Sequence, residues 1–305
     1  MRKPRALRPG DQVRVVTPAS PLTPEKIADG VALLEGEGYR VTLGSHVFDQ
    51  DGYLAGRDED RAAELMTAFM DPDVSCVVCS RGGYGCARLL PYLDLDAMAA
   101  SGTMLCGFSD VTTLHLALNR RGLVTMHTPM LVTLSVEREP WVIESFRSLL
   151  KGDPTVPNSA KRGETLVGGW AEGVVTGGCM CLLSDSLATP DALETNGKIL
   201  LLEDVDEPPH RVDAILTHFL NAGLLQRAAG IVVGEMTNTD EKADPKIGSW
   251  SWRRIVEDRI KPLEIPSIVD YPIGHMKTML SVPLGVSARL DADAGTLVFT
   301  ESPCS

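Results

Sequence analysis

The stretch Leu105–Leu118, LCGFSDVTTLHLAL, runs from apolar residues into Gly107-Phe108-Ser109-Asp110 and on to Val111, Leu114 and Leu118 at helical spacing. That pattern sets Ser109 on a strand-to-helix turn, where a hydroxyl projects from the top of a sheet and the N–H groups of the helix start converge on the same spot. A serine so placed can attack a carbonyl carbon. Ser109 or Asp110 can equally cap the helix and do nothing else. A second turn, Ser80-Arg81-Gly82-Gly83-Tyr84-Gly85, also follows an apolar run. Its glycines suit a phosphate cradle, an oxyanion-hole donor or a plain tight turn. The G-K-[ST] of a phosphate-binding loop does not follow it, and the GxGxxG of a dinucleotide site is not met.

A serine nucleophile needs a base, and the base needs a group to orient it. The chain has six histidines. His115 and His218 fall inside helical patterns, His127 ends a short apolar segment, and His46 and His210 sit in polar turns. His275 lies in Tyr271-Pro272-Ile273-Gly274-His275, a loop after an apolar segment, where function concentrates; a solvated loop histidine is the simpler reading. Glu203 follows the apolar run Ile199–Leu202 and so falls at the carboxyl end of a buried strand, where open α/β sheets gather ligands. An acidic strand end, with Asp204, Asp206 and Glu207 following, is its alternative.

Seven cysteines include Cys76 and Cys79 in a C-x-x-C. No second C-x-x-C completes a four-sulfur metal site, and within a strand residues three apart face opposite sides. No metal or organic cofactor is expected. A thiol enzyme built on Cys79 or Cys106 is disfavoured, since neither has a neighbouring histidine in sequence.

The elements that must position these residues alternate. Strands are expected at Val13–Thr17, Val74–Cys79, Thr103–Gly107, Lys198–Leu202, Gly230–Gly234 and Ile268-Val269, each ended by turn residues. Helices are expected over Thr23–Gly38, Asp58–Met70 and around Val212–Leu220, and β structure over Ser287–Phe299. Alternation of this kind implies an α/β fold with parallel sheets. At ~150 residues per domain, 305 residues suggest two domains, and the polar, proline-containing stretch Lys151–Arg162 marks the boundary, giving residues 1–155 and 165–305.

Composition narrows the class. Apolar residues make up 44% of the chain, and 29 Lys+Arg stand against 41 Asp+Glu, a net charge of −12. That balance argues against nucleic-acid and anionic-membrane surfaces. No apolar run approaches a membrane span, and the N-terminus lacks the apolar core of a signal peptide. A cytoplasmic location is expected.

Several ordered stretches together resemble the LD-carboxypeptidase family of serine peptidases, which includes muramoyl-tetrapeptide carboxypeptidases and microcin C self-immunity peptidases. They are RPGDQVRVVTPASP (8–21), GYLAGRDEDRAAEL (52–65), SRGGYGCARLLPYLD (80–94), GFSDVTTLHLAL (107–118), MHTPM (126–130), ILLLEDVDEPPHRVDAILTHFLNAGLL (199–225) and YPIGHMKTMLSVPLG (271–285). The resemblance implies a Ser-His-Glu triad of Ser109, His275 and Glu203, with backbone N–H groups of Gly83 and Asp110 as the oxyanion hole. It also implies an N-terminal flavodoxin-like domain carrying the serine, a C-terminal α/β domain carrying Glu203 and His275, a cleft between them, and a homodimer. The expected substrate is a muropeptide, cut at an L–D amide to release C-terminal D-Ala. Two departures bear on substrate fit: Cys179 stands where the family commonly has the asparagine of GGN, and Thr128 where it has the glycine of HGP.

Two other readings stand beside this one. A microcin-type amidase acting on aminoacyl-nucleotide analogues would use an aromatic platform, for which Trp250 and Trp252 are candidates, though alternating tryptophans more often pack against a neighbouring element. A non-catalytic binding protein on the same scaffold would have no need of all three triad residues. Arg81 is a candidate for holding a substrate carboxylate, with a structural ion pair as its equal alternative, and is not counted in the site.

Overall fold

In the computed structural model, which describes residues 1–246 and 248–305, the strands in chain order are β1 (Gln12–Val16), β2 (Arg40–Leu43), β3 (Val74–Cys79), β4 (Met104–Gly107), β5 (Thr125–His127), β6 (Glu164–Val167), β7 (Trp170–Cys179), β8 (Ile199–Val205), β9 (Gly230–Thr237), β10 (Ser267–Val269), β11 (Val282–Leu284), β12 (Ser287–Asp291) and β13 (Thr296–Phe299). They form one six-stranded and one seven-stranded sheet. The chain divides into two units. The first comprises Met1–Thr155, Ser281–Gly285 and Ser302–Ser305; the second comprises Val156–Leu280 and Val286–Glu301. Two short pieces of the stretch read from sequence as the second domain, 281–285 and 302–305, thus fold with the first unit.

The first unit's sheet has the order β11-β5-β4-β3-β1-β2. Strands β1 to β5 run parallel, and β11 adds antiparallel to β5 at the edge. The parallel order 2-1-3-4-5 is flavodoxin-like. Its central strands are covered on both faces, which is why VSCVVC and MLCG read as unbroken apolar runs: Cys76, Val77, Val78, Met104, Leu105 and Cys106 are fully buried. The strand order reverses between β1 and β3, and in such sheets ligands gather at the carboxyl ends beside that point. The turn 80–85 leaves β3 there, the segment 17–20 leaves β1, and Ser109 follows the neighbouring β4.

The second unit's sheet has the order β13-β12-β7-β8-β9-β10-β6. Strands β7 to β10 are parallel, and the outer strands β6, β12 and β13 pair antiparallel. Strand β8 runs to Val205, three residues beyond the apolar run that marks it in sequence, so Glu203 and Asp204 lie inside it. The β8–β9 ladder shifts register between Leu202 and Asp204, across Glu203. Irregularities of this kind re-aim side chains and are common beside active sites. The helix Pro209–Asn221 buries Val212, Ile215, Leu216 and Phe219 along one face. Among the described residues no helix is long and apolar enough to cross a membrane.

Candidate active site

Ser109 sits on a strained elbow in the first unit. Strand β4 ends at Gly107, Phe108 is extended, and Ser109 has φ of 63°, a left-handed conformation that a non-glycine residue seldom adopts. Such a backbone costs on the order of 1–3 kcal/mol and collects at functional sites. A turn over Ser109–Val111 then leads into the helix Thr112–Arg120. That helix starts at Thr112, with Val111 at its N-cap position.

The Asp110 side chain is buried. Its Oδ2 accepts the backbone N–H of Cys86 at 2.7 Å, stitching the serine elbow to the residues after the glycine turn. The two turns are in contact. A Cβ on Gly82 would lie 2.8 Å from the Cβ of Ser109 and 3.0 Å from its Oγ. Gly83 has φ of 115°, and a Cβ there would fall 2.7 Å from that of Ser20. The Ser20 hydroxyl in turn accepts the N–H of Tyr84 at 3.1 Å. No side chain larger than glycine fits this backbone.

Arg61 fastens the turn from behind. Its buried guanidinium donates to the carbonyls of Gly85 (3.2 Å), Gly56 (3.3 Å) and Pro18, and pairs with Asp58. In sequence Arg61 stands inside GYLAGRDEDRAAEL with no task of its own. The available signal was its place on the same helical stripe as the buried Ala62, Leu65, Ala68 and Phe69, where a charge must have partners. Arg81, weighed for a substrate carboxylate, donates to the carbonyls of Pro21 (3.0 Å) and Gly82 (3.1 Å).

Glu203 and His275 meet in the second unit. Glu203 is fully buried, and its Oε2 lies 2.7 Å from His275 Nδ1. With Glu203 ionised its carboxylate only accepts, so in the neutral imidazole Nδ1 carries the proton and Nε2 the lone pair. Gly274, at φ of 93°, brings the loop this close: a Cβ there would stand 2.6 Å from Cγ and Cδ of Glu203. Burial disfavours a charged His275, but the charge and hydrogen bond of Glu203, backed by Asp204 and Asp206, override it and hold the His275 pKa above its ordinary value. Asp204 is pushed up to about 6, by burial first and then by the neighbouring Glu203.

The remaining histidines do other things. His115 is buried with Nε2 2.9 Å from the Gly107 carbonyl, and burial pushes its pKa down to about 3, so it stays neutral beneath the elbow. His127 is buried edge-on to Phe108. His46 pairs with Asp49 at 2.7 Å, while His210 and His218 are exposed on their helix.

The C-x-x-C pair does not act together. Cys76 lies 3.7 Å from Cys106 rather than near Cys79, and burial pushes both Cys76 and Cys79 up, away from the thiolate. Metal-donor groups cluster instead at Cys179, Cys181 and Asp204. A polar cavity of about 450 Å³ opens in the second unit, lined by residues that include Lys161, Arg253, Glu235, Asp270, Trp252 and Met276, the last adjacent in chain to His275. Trp250 is 42% exposed, with the Arg254 guanidinium 4.1 Å from its ring centre.

Residues 13–128 match the LD-carboxypeptidase N-terminal domain and residues 172–290 match the C-terminal domain. A putative carboxypeptidase of Streptomyces coelicolor is 39% identical over 303 residues, covering 97% of this chain and 95% of that protein. The murein tetrapeptide carboxypeptidase of Pseudomonas aeruginosa is 33% identical over 294 residues, covering 92% and 94%. In fold, the microcin C7 self-immunity protein MccF, solved in complex with aspartyl sulfamoyl adenosine, superposes with a TM-score of 0.88 at 24% identity over 99% of both chains. Across both of its sheets, then, this α/β chain belongs to the LD-carboxypeptidase family of hydrolases.

Proposed function

We propose that the chain is a serine peptidase that hydrolyses the L–D amide of a murein tetrapeptide and releases C-terminal D-Ala. The observation that carries this reading is the 2.7 Å contact of His275 Nδ1 with the buried Glu203, which leaves Nε2 as a base. The strained elbow at Ser109 supports it from the other unit, and the relative from Pseudomonas aeruginosa supplies the substrate class.

In this mechanism Ser109 Oγ attacks the amide carbonyl as His275 Nε2 takes its proton, which requires the two atoms to come within about 3 Å. Glu203 holds the imidazole in the productive tautomer and stabilises the imidazolium. The N–H groups of Gly83 and Asp110 receive the oxyanion, each worth roughly 3–4 kcal/mol in comparable sites. His275 then protonates the departing D-Ala amine, and water resolves the acyl-enzyme through the same base. None of these steps calls on a metal or an organic cofactor.

A role in wall-peptide recycling places the enzyme in the cytoplasm. Six of the seven cysteines are buried, a use of cysteine that fits a reducing compartment. A homodimer is the assembly that the family resemblance implies.

The test is product analysis by mass spectrometry after incubation with a murein tetrapeptide ending in D-Ala. An aminoacyl sulfamoyl adenosine is run in parallel. Release of D-Ala that disappears in Ser109→Ala is the expected result. Cleavage of the nucleotide analogue alone overturns the substrate assignment and directs attention to Trp250 and Trp252.

A further inference from the structure

The residue that departs from the family pattern, Cys179, has a second thiol beside it. Cys179 ends β7, and Cys181 lies in the first turn of the helix Met180–Asp185. Their sulfurs are 3.4 Å apart. Cys179 Sγ is 3.5 Å from Asp204 Oδ1 on the neighbouring strand β8, and one donor atom from each of the three residues lies within 4.8 Å of the others. A tetrahedral zinc with bonds of about 2.3 Å to sulfur and about 2.0 Å to oxygen separates two sulfurs by about 3.8 Å, and sulfur from oxygen by about 3.5 Å. The sulfur–sulfur edge of 3.4 Å and the Cys179 sulfur–oxygen edge of 3.5 Å are within a few tenths of an ångström of those values.

The carboxylate is already oriented. Asp204 Oδ2 accepts the N–H of Cys181 at 2.9 Å and Oδ1 accepts that of Val205 at 2.8 Å. Supporting bonds of this kind hold ligands in place at metal sites. Cys179 and Asp204 are buried while Cys181 is only half-buried, so an ion has a way in from the Cys181 side. Two sulfurs and one oxygen select a thiophilic divalent cation over magnesium or calcium, and three protein donors leave a fourth position for water.

We propose that Cys179, Cys181 and Asp204 form a binding site for a divalent cation of the zinc class, and that its occupancy suppresses hydrolysis. Binding converts two thiols to thiolates and releases two protons per ion, with no change of oxidation state. The coupling follows from position. Cys179 pairs in register with Glu203 across the β7–β8 ladder, and Asp204 is the next residue in the chain. A dication there competes with His275 for the negative charge of Glu203. This second half rests on the triad reading; the site itself does not.

The test uses the full, tag-free chain, reduced beforehand, with cobalt(II) as the probe. Cobalt should bind at one equivalent with thiolate-to-metal charge-transfer absorption and tetrahedral ligand-field bands. Cys181→Ser should weaken it by at least about tenfold, and Cys181→Ala should do the same. Absence of the charge-transfer band, or its persistence in both variants, overturns the site. Zinc should then inhibit D-Ala release by the wild type, reversibly with a chelator. Each variant, measured against its own zinc-free rate, should need at least about tenfold more zinc. Saturating zinc that leaves the wild-type rate unchanged overturns the coupling. A chain that takes cobalt as described but never hydrolyses the peptide supports the site and overturns the triad reading instead.

Discussion

Gly274 packs its α-carbon directly against the carboxylate of Glu203: a methyl group there would sit 2.6 Å from both Cγ and Cδ. The backbone of the loop, not only the imidazole, is therefore fitted to the glutamate. Gly274→Ala has to push the loop or the carboxylate aside and also strains a φ of 93°. We expect kcat/KM to fall by about 10²-fold or more, since displacements near 1 Å cost that much in comparable sites. Circular dichroism and steady-state kinetics on the same preparation separate this from unfolding. Wild-type kinetics in that variant would remove the need for this contact.

Ser109 should trade stability for position. Ser109→Gly lifts the cost of φ at 63° and should stabilise the fold by about 1 kcal/mol while abolishing turnover. Ser109→Ala should abolish turnover without that gain, because alanine is strained at the same φ. Urea unfolding midpoints of the three proteins check the order.

The pH profile follows from the raised pKa of His275. Hydrolysis needs the neutral imidazole, so the acid limb of kcat/KM should have its midpoint above about 6.5. The sign for stability is opposite. A histidine with a raised folded-state pKa contributes stability that is complete below about pH 6.5 and lost as the pH climbs through the folded value. The working enzyme has therefore given up that contribution. Glu203→Gln removes the main cause of the shift, so the acid limb should move down and the rate should fall by about 10³–10⁴-fold. An unmoved limb would assign the titration to another group.

Arg61 should matter to both stability and rate. Arg61→Met leaves three carbonyls and the mostly buried Asp58 without the guanidinium. Breaking a buried pair from one side costs about 3–5 kcal/mol. We expect a lowered thermal midpoint, and a kcat deficit larger than any change in KM, because Gly85 anchors the turn that carries Gly83. A deficit confined to KM would place the effect in substrate binding instead.

Much of the fold was legible because its signals are local. Val74–Cys79 and Asp58–Met70 have the bounds their apolar patterns mark. The remaining strands have weak local signals. No residue of β2 is fully buried, β5 and β11 are three residues long, β6 lies at an edge, and the glycines of β7 break up its apolar pattern. Strand β11 also pairs with β5 across some 150 positions of chain, which no local pattern encodes.

By itself the sequence determined the α/β class, the parallel core strands, the strand-to-helix turn at Ser109 and the resemblance that the family matches bear out. Each depends on residue types a few positions apart, where period and turn chemistry act directly. Tertiary structure alone decided the 2.7 Å contact of Glu203 with His275, 72 positions away and implied beforehand only by the resemblance, and that His115 and His127 are core. It alone decided that Asp110 ties one turn to another, that Arg61 holds the glycine turn, and that Cys179, Cys181 and Asp204 converge. Those outcomes turn on distances of a few ångströms between side chains from different strands and loops. Such distances are set by sheet order and register, which only the packed chain defines.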